Sequence, residues 1–219
     1  KGLELDPEIE EVTGIPLETL QEVMDGMKRA RFGVILFGMG VTMTRGKHLN
    51  SEAILALARD MNQHSRWSAK PMRGHGNVTG ADNVVSWTTG YPFGVNLCRG
   101  YPRFNPGEYT ASDVLARAEA DAALIIASDP MSNFSQPARD HLARIPSIVL
   151  DPKLSDTART ATVAFTTSTY GINTGGTVYR MDDIPIPLRP AFASPFKSDL
   201  EILKAIETRI RTRQLDGSG

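Results

Sequence analysis

Apolar positions change their period several times along this chain, and each change marks an element. Leu17, Leu20, Met24 and Met27 recur at helical spacing behind Pro16 and predict a helix over 16–28. Proline suits a first helical position, where its missing N–H costs no hydrogen bond. Residues 32–37 form a continuous apolar run instead, which predicts a buried strand ended by Gly38 and Gly40. Helical spacing returns at Ile54, Leu57, Ala58 and Met61, with Asn50 or Ser51 as the cap. Two more apolar runs, 122–128 and 147–150, end at Asp129-Pro130 and Asp151-Pro152, with a helix expected over 137–144 between them. A short strand is expected at 163–167. Ser198-x-x-Glu201 is a capping box, and Ile202, Leu203, Ile206 and Ile210 make the buried stripe of the helix behind it. Strands alternating with helices argue for a parallel α/β sheet covered on both faces, with right-handed crossovers.

Two stretches carry no such period. The first, 71–109, is rich in glycine yet holds Trp87, Tyr91, Phe93, Tyr101 and Phe104, too many aromatic rings for a solvated tether. Arg73, Arg99 and Arg103 offer an anion clamp there. A packed irregular segment, a partner interface and a cofactor wall all fit this composition. The second, 168–190, has Gly171, Gly175 and Gly176 followed by Pro185, Pro187 and Pro190, which exclude a central strand. An edge strand or a tail laid on a neighbouring subunit fits.

Composition narrows the function. The chain has 219 residues, 41% of them hydrophobic and 22% charged, as in ordinary globular proteins. A net charge of −1 gives no electrostatic reason to expect nucleic acid or an anionic membrane. No apolar run is long enough to span a bilayer. The acidic start, with Glu4, Asp6, Glu8, Glu10 and Glu11, has no signal-peptide pattern, and beginning at Lys1 leaves room for a longer native chain. The single cysteine, Cys98, excludes an intrachain disulfide and a Cys-ligated iron–sulfur cluster within these residues. A cytoplasmic setting is expected.

Candidate chemistry is sparse. Gly38-x-Gly40 after a strand has the look of a phosphate-binding turn, but the next glycine is Gly46 and no acidic residue follows at the dinucleotide spacing. Asp129 and Asp151 each follow a strand, where open parallel sheets bind ligands, although Asp-Pro also simply starts turns. His48, His64, His75 and His141 lack metal-site spacing. Neither a nucleophile elbow nor a P-loop occurs.

Residues 71–108 (PMRGHGNVTGADNVVSWTTGYPFGVNLCRGYPRFNPGE), FGVILFGMGVTMTRGKHLNSEAI, ALIIASDP, IVLDP and GTVYRMDDIPIPLR are similar to the B subunit of formylmethanofuran dehydrogenases. The resemblance runs from about residue 13 to 204, with its motifs in the family's order, and matches the C-terminal part of that family. It implies a mostly parallel, three-layer Rossmann-like α/β fold derived from the molybdopterin oxidoreductase scaffold. It implies one unit, or two lobes (1–70 with 198–219, and 110–167) joined by the loop 71–109. In that family, strand-end positions such as Gly38, Gly40, Asp129 and Asp151 would meet a molybdopterin guanine dinucleotide carrying molybdenum or tungsten, if one is retained. Cys98 stands where the resemblance suggests a serine-like residue, not the metal ligand. The expected function is therefore that of a non-catalytic subunit of a one-carbon formyltransferase/hydrolase complex. That complex moves a formyl group from formyl-tetrahydromethanopterin to a furan carrier and releases formate. No cofactor or metal is expected in this chain, and the A-, C- and D-type subunits would dock on loops 71–109 and 168–190. The alternatives are a part of a redox-active formylmethanofuran dehydrogenase and, more distantly, a free-standing nucleotide-binding domain.

Overall fold

The computed structural model describes residues 6, 8–46 and 48–215. The chain divides into two compact units, 1–78 and 79–219.

The first unit contains α1 (Glu8–Thr13), α2 (Leu17–Arg29), β1 (Phe32–Phe37), α3 (Gly40–Met43), α4 (His48–Met61) and β2 (Arg66–Pro71). β1 and β2 pair in parallel, from Phe32 opposite Arg66 to Phe37 opposite Pro71. Gly33 faces Trp67, and a Cβ there would lie 2.2 Å from the indole, so this glycine is needed for close approach. α4 turns Ala58 and Met61 inward, as its spacing predicts. It begins at His48 rather than capping at Asn50 or Ser51. The Asn50 amide donates instead to the Val41 carbonyl (2.9 Å) and to Thr44 Oγ1 (2.8 Å), tying the helix to the turn before it. β1 has the extent the apolar run predicts but not the burial. Phe32, Val34 and Leu36, which share one face of this two-stranded sheet, are exposed. β2 alternates polar Arg66, Ser68 and Lys70 with Trp67 and Ala69. Asn62 holds it, donating to the Trp67 carbonyl (2.9 Å) and accepting its N–H (3.1 Å).

The second unit begins inside α5 (Val78–Thr89), whose first residue closes the first unit. It runs through β3 (Val95–Asn96), β4 (Arg103–Phe104), α6 (Ala111–Ala116), β5 (Ala123–Ile126), α7 (Pro130–Asn133), α8 (Gln136–Leu142), β6 (Ser147–Asp151), α9 (Asp156–Thr160), β7 (Val163–Thr166), β8 (Gly176–Tyr179), β9 (Pro185–Leu188) and α10 (Asp199–Leu215). β5, β6 and β7 form a parallel sheet with β6 in the middle. One face supplies Ile125 and Val149 to a core completed by Leu115, Ala138, Leu142 and Ala158 from the helices. The register puts Leu124, Ile126, Leu150, Val163 and Phe165 on the other face. There Leu150 is fully buried while the other four are exposed, so helices do not cover both faces evenly.

The two stretches without a period are ordered. The first holds α5 and the β3–β4 hairpin, whose rings lock together: Tyr91 stacks on Phe104 at 5.0 Å and Phe93 meets it edge-on at 5.7 Å. In the second, β8 and β9 make an antiparallel pair with Pro185 and Pro187 opposite Tyr179 and Thr177. Alternate residues of such a strand face away from the ladder, so both prolines lie where no N–H is needed. The capping box of α10 forms: Ser198 N–H donates to Glu201 Oε2 (2.8 Å) and Glu201 N–H to Ser198 Oγ (3.3 Å). Its apolar stripe is buried at Ile202 and fades to an exposed Ile210. α10 falls within the second unit, where Ile202 and Ile206 line a crevice of about 510 Å³ with Phe165. Of the lobe expected over 1–70 and 198–219, residues 1–5, 7, 47 and 216–219 lie outside the described residues. No described helix is long and apolar enough to cross a membrane.

Candidate functional site

The carboxyl ends of β5, β6 and β7 gather most of the buried polar side chains of the second unit, Asp151, Ser155, Thr157, Thr167 and Ser168, while Thr79 lies in α5 and Ser147 at the start of β6. This edge of a parallel sheet is where strand direction and helix N-termini leave polar groups pointing outward. Asp129, two residues from the turn at Ala127, is the hub. Its Oδ1 accepts from the Thr157 N–H (2.9 Å) and hydroxyl (2.6 Å), and its Oδ2 accepts from the Ser132 hydroxyl (2.7 Å). Thr157 Oγ1 in turn accepts the Met131 N–H at 3.0 Å, so α7 and α9 are stitched through one carboxylate. Burial opposes ionisation of Asp129. The hydroxyls of Thr157 and Ser132 and the backbone N–H groups of Thr157 and Asp156 outweigh it and bring the pKa down to about 2. The residue before this turn is strained: Ala127 has φ +47°, a region that costs a non-glycine residue about 1 kcal/mol.

Asp151 is 5% exposed. Its Oδ1 accepts the Lys153 N–H (3.0 Å), and its carbonyl accepts the Thr167 N–H (3.3 Å). Thr167 Oγ1 beside it is buried without a hydrogen-bond partner. A second polar feature, which the sequence pattern did not reveal, lies past β7. Ser168, Asn173, Thr174, Ser194, Lys197 and Glu201 line a pocket of about 460 Å³. Only contact between residues distant in sequence creates it, through the Ser168 N–H bond to the Lys197 carbonyl (2.9 Å) and the Asn173 bond to the Phe192 carbonyl (3.3 Å).

The remaining candidates are dispersed. Gly38 and Gly40 flank the turn from β1 into α3 in the first unit. Neither has positive φ and nothing lies within 4 Å of a Cβ placed on either, so the chain's own packing does not demand glycine there. Asp129 and Asp151 belong to the second unit. Of the three arginines in 71–109, Arg103 is spent inside its own hairpin. Its guanidinium donates to Tyr109 Oη (2.9 Å), Asn96 Oδ1 (3.0 Å) and Cys98 Sγ (3.2 Å). His141 Nε2 sits 2.7 Å from the Ala120 carbonyl. Among the described residues no three His, Cys, Asp or Glu side chains gather as metal ligands. A metal–pterin group is the cofactor the sequence resemblance raises. Of the donors here, the one thiol accepts a hydrogen bond from Arg103, and the Asp129 carboxylate already accepts three from Thr157 and Ser132.

No family model matches the chain. Over 213 residues, 96% of its length, it is 44% identical to the B subunit of the tungsten-containing formylmethanofuran dehydrogenase 2 of Methanocaldococcus jannaschii, covering 48% of that protein. The protein of the same name from Methanococcus maripaludis is 42% identical over 93% of this chain and 47% of its own length. The B subunit of the formyltransferase/hydrolase complex Fhc of Methylorubrum extorquens is 27% identical over 85% of this chain and 50% of its own. Among solved structures, a chain of the FhcABCD complex from Methylorubrum extorquens with methylofuran matches with a TM-score of 0.68 over 89% of this chain and 53% of that one. At 21% identity this is a likeness of fold. The chain thus spans about half the length of the curated relatives it matches.

Proposed function

Because this chain is a homologue of the formylmethanofuran dehydrogenase B subunit over about half of that protein's length, we propose that it works as part of a multi-subunit one-carbon complex that handles a formyl group on a furan carrier. Its contribution is scaffolding and docking rather than bond chemistry. The observation that carries this is the state of the polar side chains at the strand ends. The carboxylate best placed for chemistry, Asp129, is held by Thr157 and Ser132 as a structural tie.

Two complexes of this kind are in play, and the identities favour the dehydrogenase: 44% and 42%, against 27% for the formyltransferase/hydrolase relative. The hydrolase reading keeps the support of the fold match. In either, docking falls to the two loop regions. Trp87, Leu97 and Tyr101 are exposed in 71–109, and Ile172, Met181 and Ile184 in 168–190. Exposed large rings and aliphatics on ordered backbone are what interface cores use.

The test is purification of the native protein by a tag on this chain. Further subunits should accompany it, and the variant Trp87→Ala with Tyr101→Ala should retain fewer of them. Stoichiometric tungsten or molybdenum with a released fluorescent pterin would favour the dehydrogenase. Formyl transfer and hydrolysis without either would favour the second complex. A lone polypeptide with full activity would end both readings.

A further inference from the structure

α10 is anchored at one end only. Ile202 is buried and Ile206 lines the crevice with Phe165 and Phe196. About two turns beyond Ile202, Ile210 is 52% exposed, and Arg209 and Arg213 are exposed beside it. Counted from Ile206, residues 209, 210 and 213 stand three, four and seven positions on, so they continue the face that Ile202 buries. Helices in proteins draw most of their stability from an apolar face laid on another element. The second half of α10 has the face without the element.

Charge divides this helix as well. Glu207 is the one acidic residue of 202–215. It pairs with Arg211 at 2.7 Å, on the face that Lys204 and Thr208 share by the same spacing. The outer face therefore balances its own charge. The apolar face carries Arg209 and Arg213 and no acid from residue 202 on. Neither arginine makes an ion pair among the described residues. Aliphatic side chains interleaved with unpaired arginines are rare inside one chain and common where two polypeptides meet.

From these observations we infer that the face formed by Ile206, Arg209, Ile210 and Arg213 docks an acidic amphipathic helix of another subunit. The occupant sets aliphatic side chains on Ile206 and Ile210, and aspartates or glutamates against Arg209 and Arg213. Length decides for a helix over a small ligand. From Ile202 to Arg213 the stripe runs about 17 Å, three turns, which a helix laid alongside covers. The contact rests on the multi-subunit reading above and adds a third surface to it, since no residue of this face belongs to either loop.

Benzoylphenylalanine in place of Ile210, introduced into the native complex in cells and activated by light, identifies the occupant. The expected crosslinked peptide comes from a different polypeptide and carries Asp or Glu interleaved with apolar residues. Reversing both charges, Arg209→Glu with Arg213→Glu, should weaken retention of that subunit about tenfold and lower the salt concentration that releases it. Arg209→Lys with Arg213→Lys should retain it, and Lys204→Glu on the opposite face should change nothing. A crosslink within the same polypeptide, to a second copy of this chain or to a peptide without acidic residues overturns the inference, as does equal weakening by Lys204→Glu. A complex that assembles but gives no crosslink at residue 210 overturns the α10 contact and leaves the multi-subunit reading standing.

Discussion

The carboxylate of Asp129 takes donors from two helices, and Thr157, 2% exposed, supplies two of them. Thr157→Val keeps the shape, removes the hydroxyl donor and strands the Met131 N–H. A hydrogen bond to a charged group contributes about 1.5–3 kcal/mol, so the free energy of unfolding should fall by an amount in that range at neutral pH, with a lower denaturation midpoint. The pH dependence follows from the direction of the shift. Asp129 titrates at about 2 in the fold and at 3.8 ordinarily. Its stabilisation is therefore fully present above the higher value and is lost as pH falls through the lower one. Discounted for the partly solvated carboxylate, that contribution is about 1 kcal/mol. The gap between the two proteins should narrow on acidification to about pH 2. Equal midpoints near neutrality, or a gap indifferent to acid, would remove the tie. The sequence marked Asp129 as a strand-end residue with ligand potential. It did not reveal Thr157 as the partner, because the pair is joined by the crossover of α8 and β6 rather than by local spacing.

Elements whose signals are local were legible, and those made by packing were not. Residues 32–37 carry their own apolar run, α2 its spacing behind Pro16, and α10 its box at Ser198 and Glu201. α5 was missed because VTGADNVVSWTT mixes small and β-branched residues that favour neither period. β2 alternates Arg66, Ser68 and Lys70 with Trp67 and Ala69, the period of a strand, but two apolar residues are too short a signal, and it is Asn62 from just past the end of α4 that holds it. The hairpin at 176–188 was read as an edge strand or a tail, and proline placement was the right clue to its edge character. Capping supports a prediction for α10. Ser198→Ala removes an acceptor for the Glu201 N–H and one of the two donors to its carboxylate, at a cost of about 1 kcal/mol. Thermal unfolding followed by helical circular dichroism should shift accordingly, and Ser198→Thr should restore most of it. An unchanged transition in the alanine variant would mean that α10 is held by contacts along its length instead.

At the scale of the molecule the burial pattern says more than any one site. The cores are small: Ala58 and Met61 in the first unit, and the cluster around Val149, Ala138 and Leu142 in the second. Against them stand apolar side chains left open on both parallel sheets, Phe32, Val34 and Leu36 on one and Leu124, Ile126, Val163 and Phe165 on the other. Soluble monomers rarely leave contiguous apolar faces of more than a few hundred Å² uncovered, since each 100 Å² exposed forgoes about 2.5 kcal/mol of hydrophobic stabilisation. The 219-residue polypeptide on its own should therefore bind a hydrophobic dye such as anilinonaphthalene sulfonate at neutral pH and self-associate as its concentration rises. The native assembly should do neither. Sedimentation at several concentrations, with dye fluorescence recorded on the same samples, distinguishes the cases. A dye-silent, monodisperse monomer of the isolated chain would mean that these faces are stable in water, and that the docking role is not required by its physics.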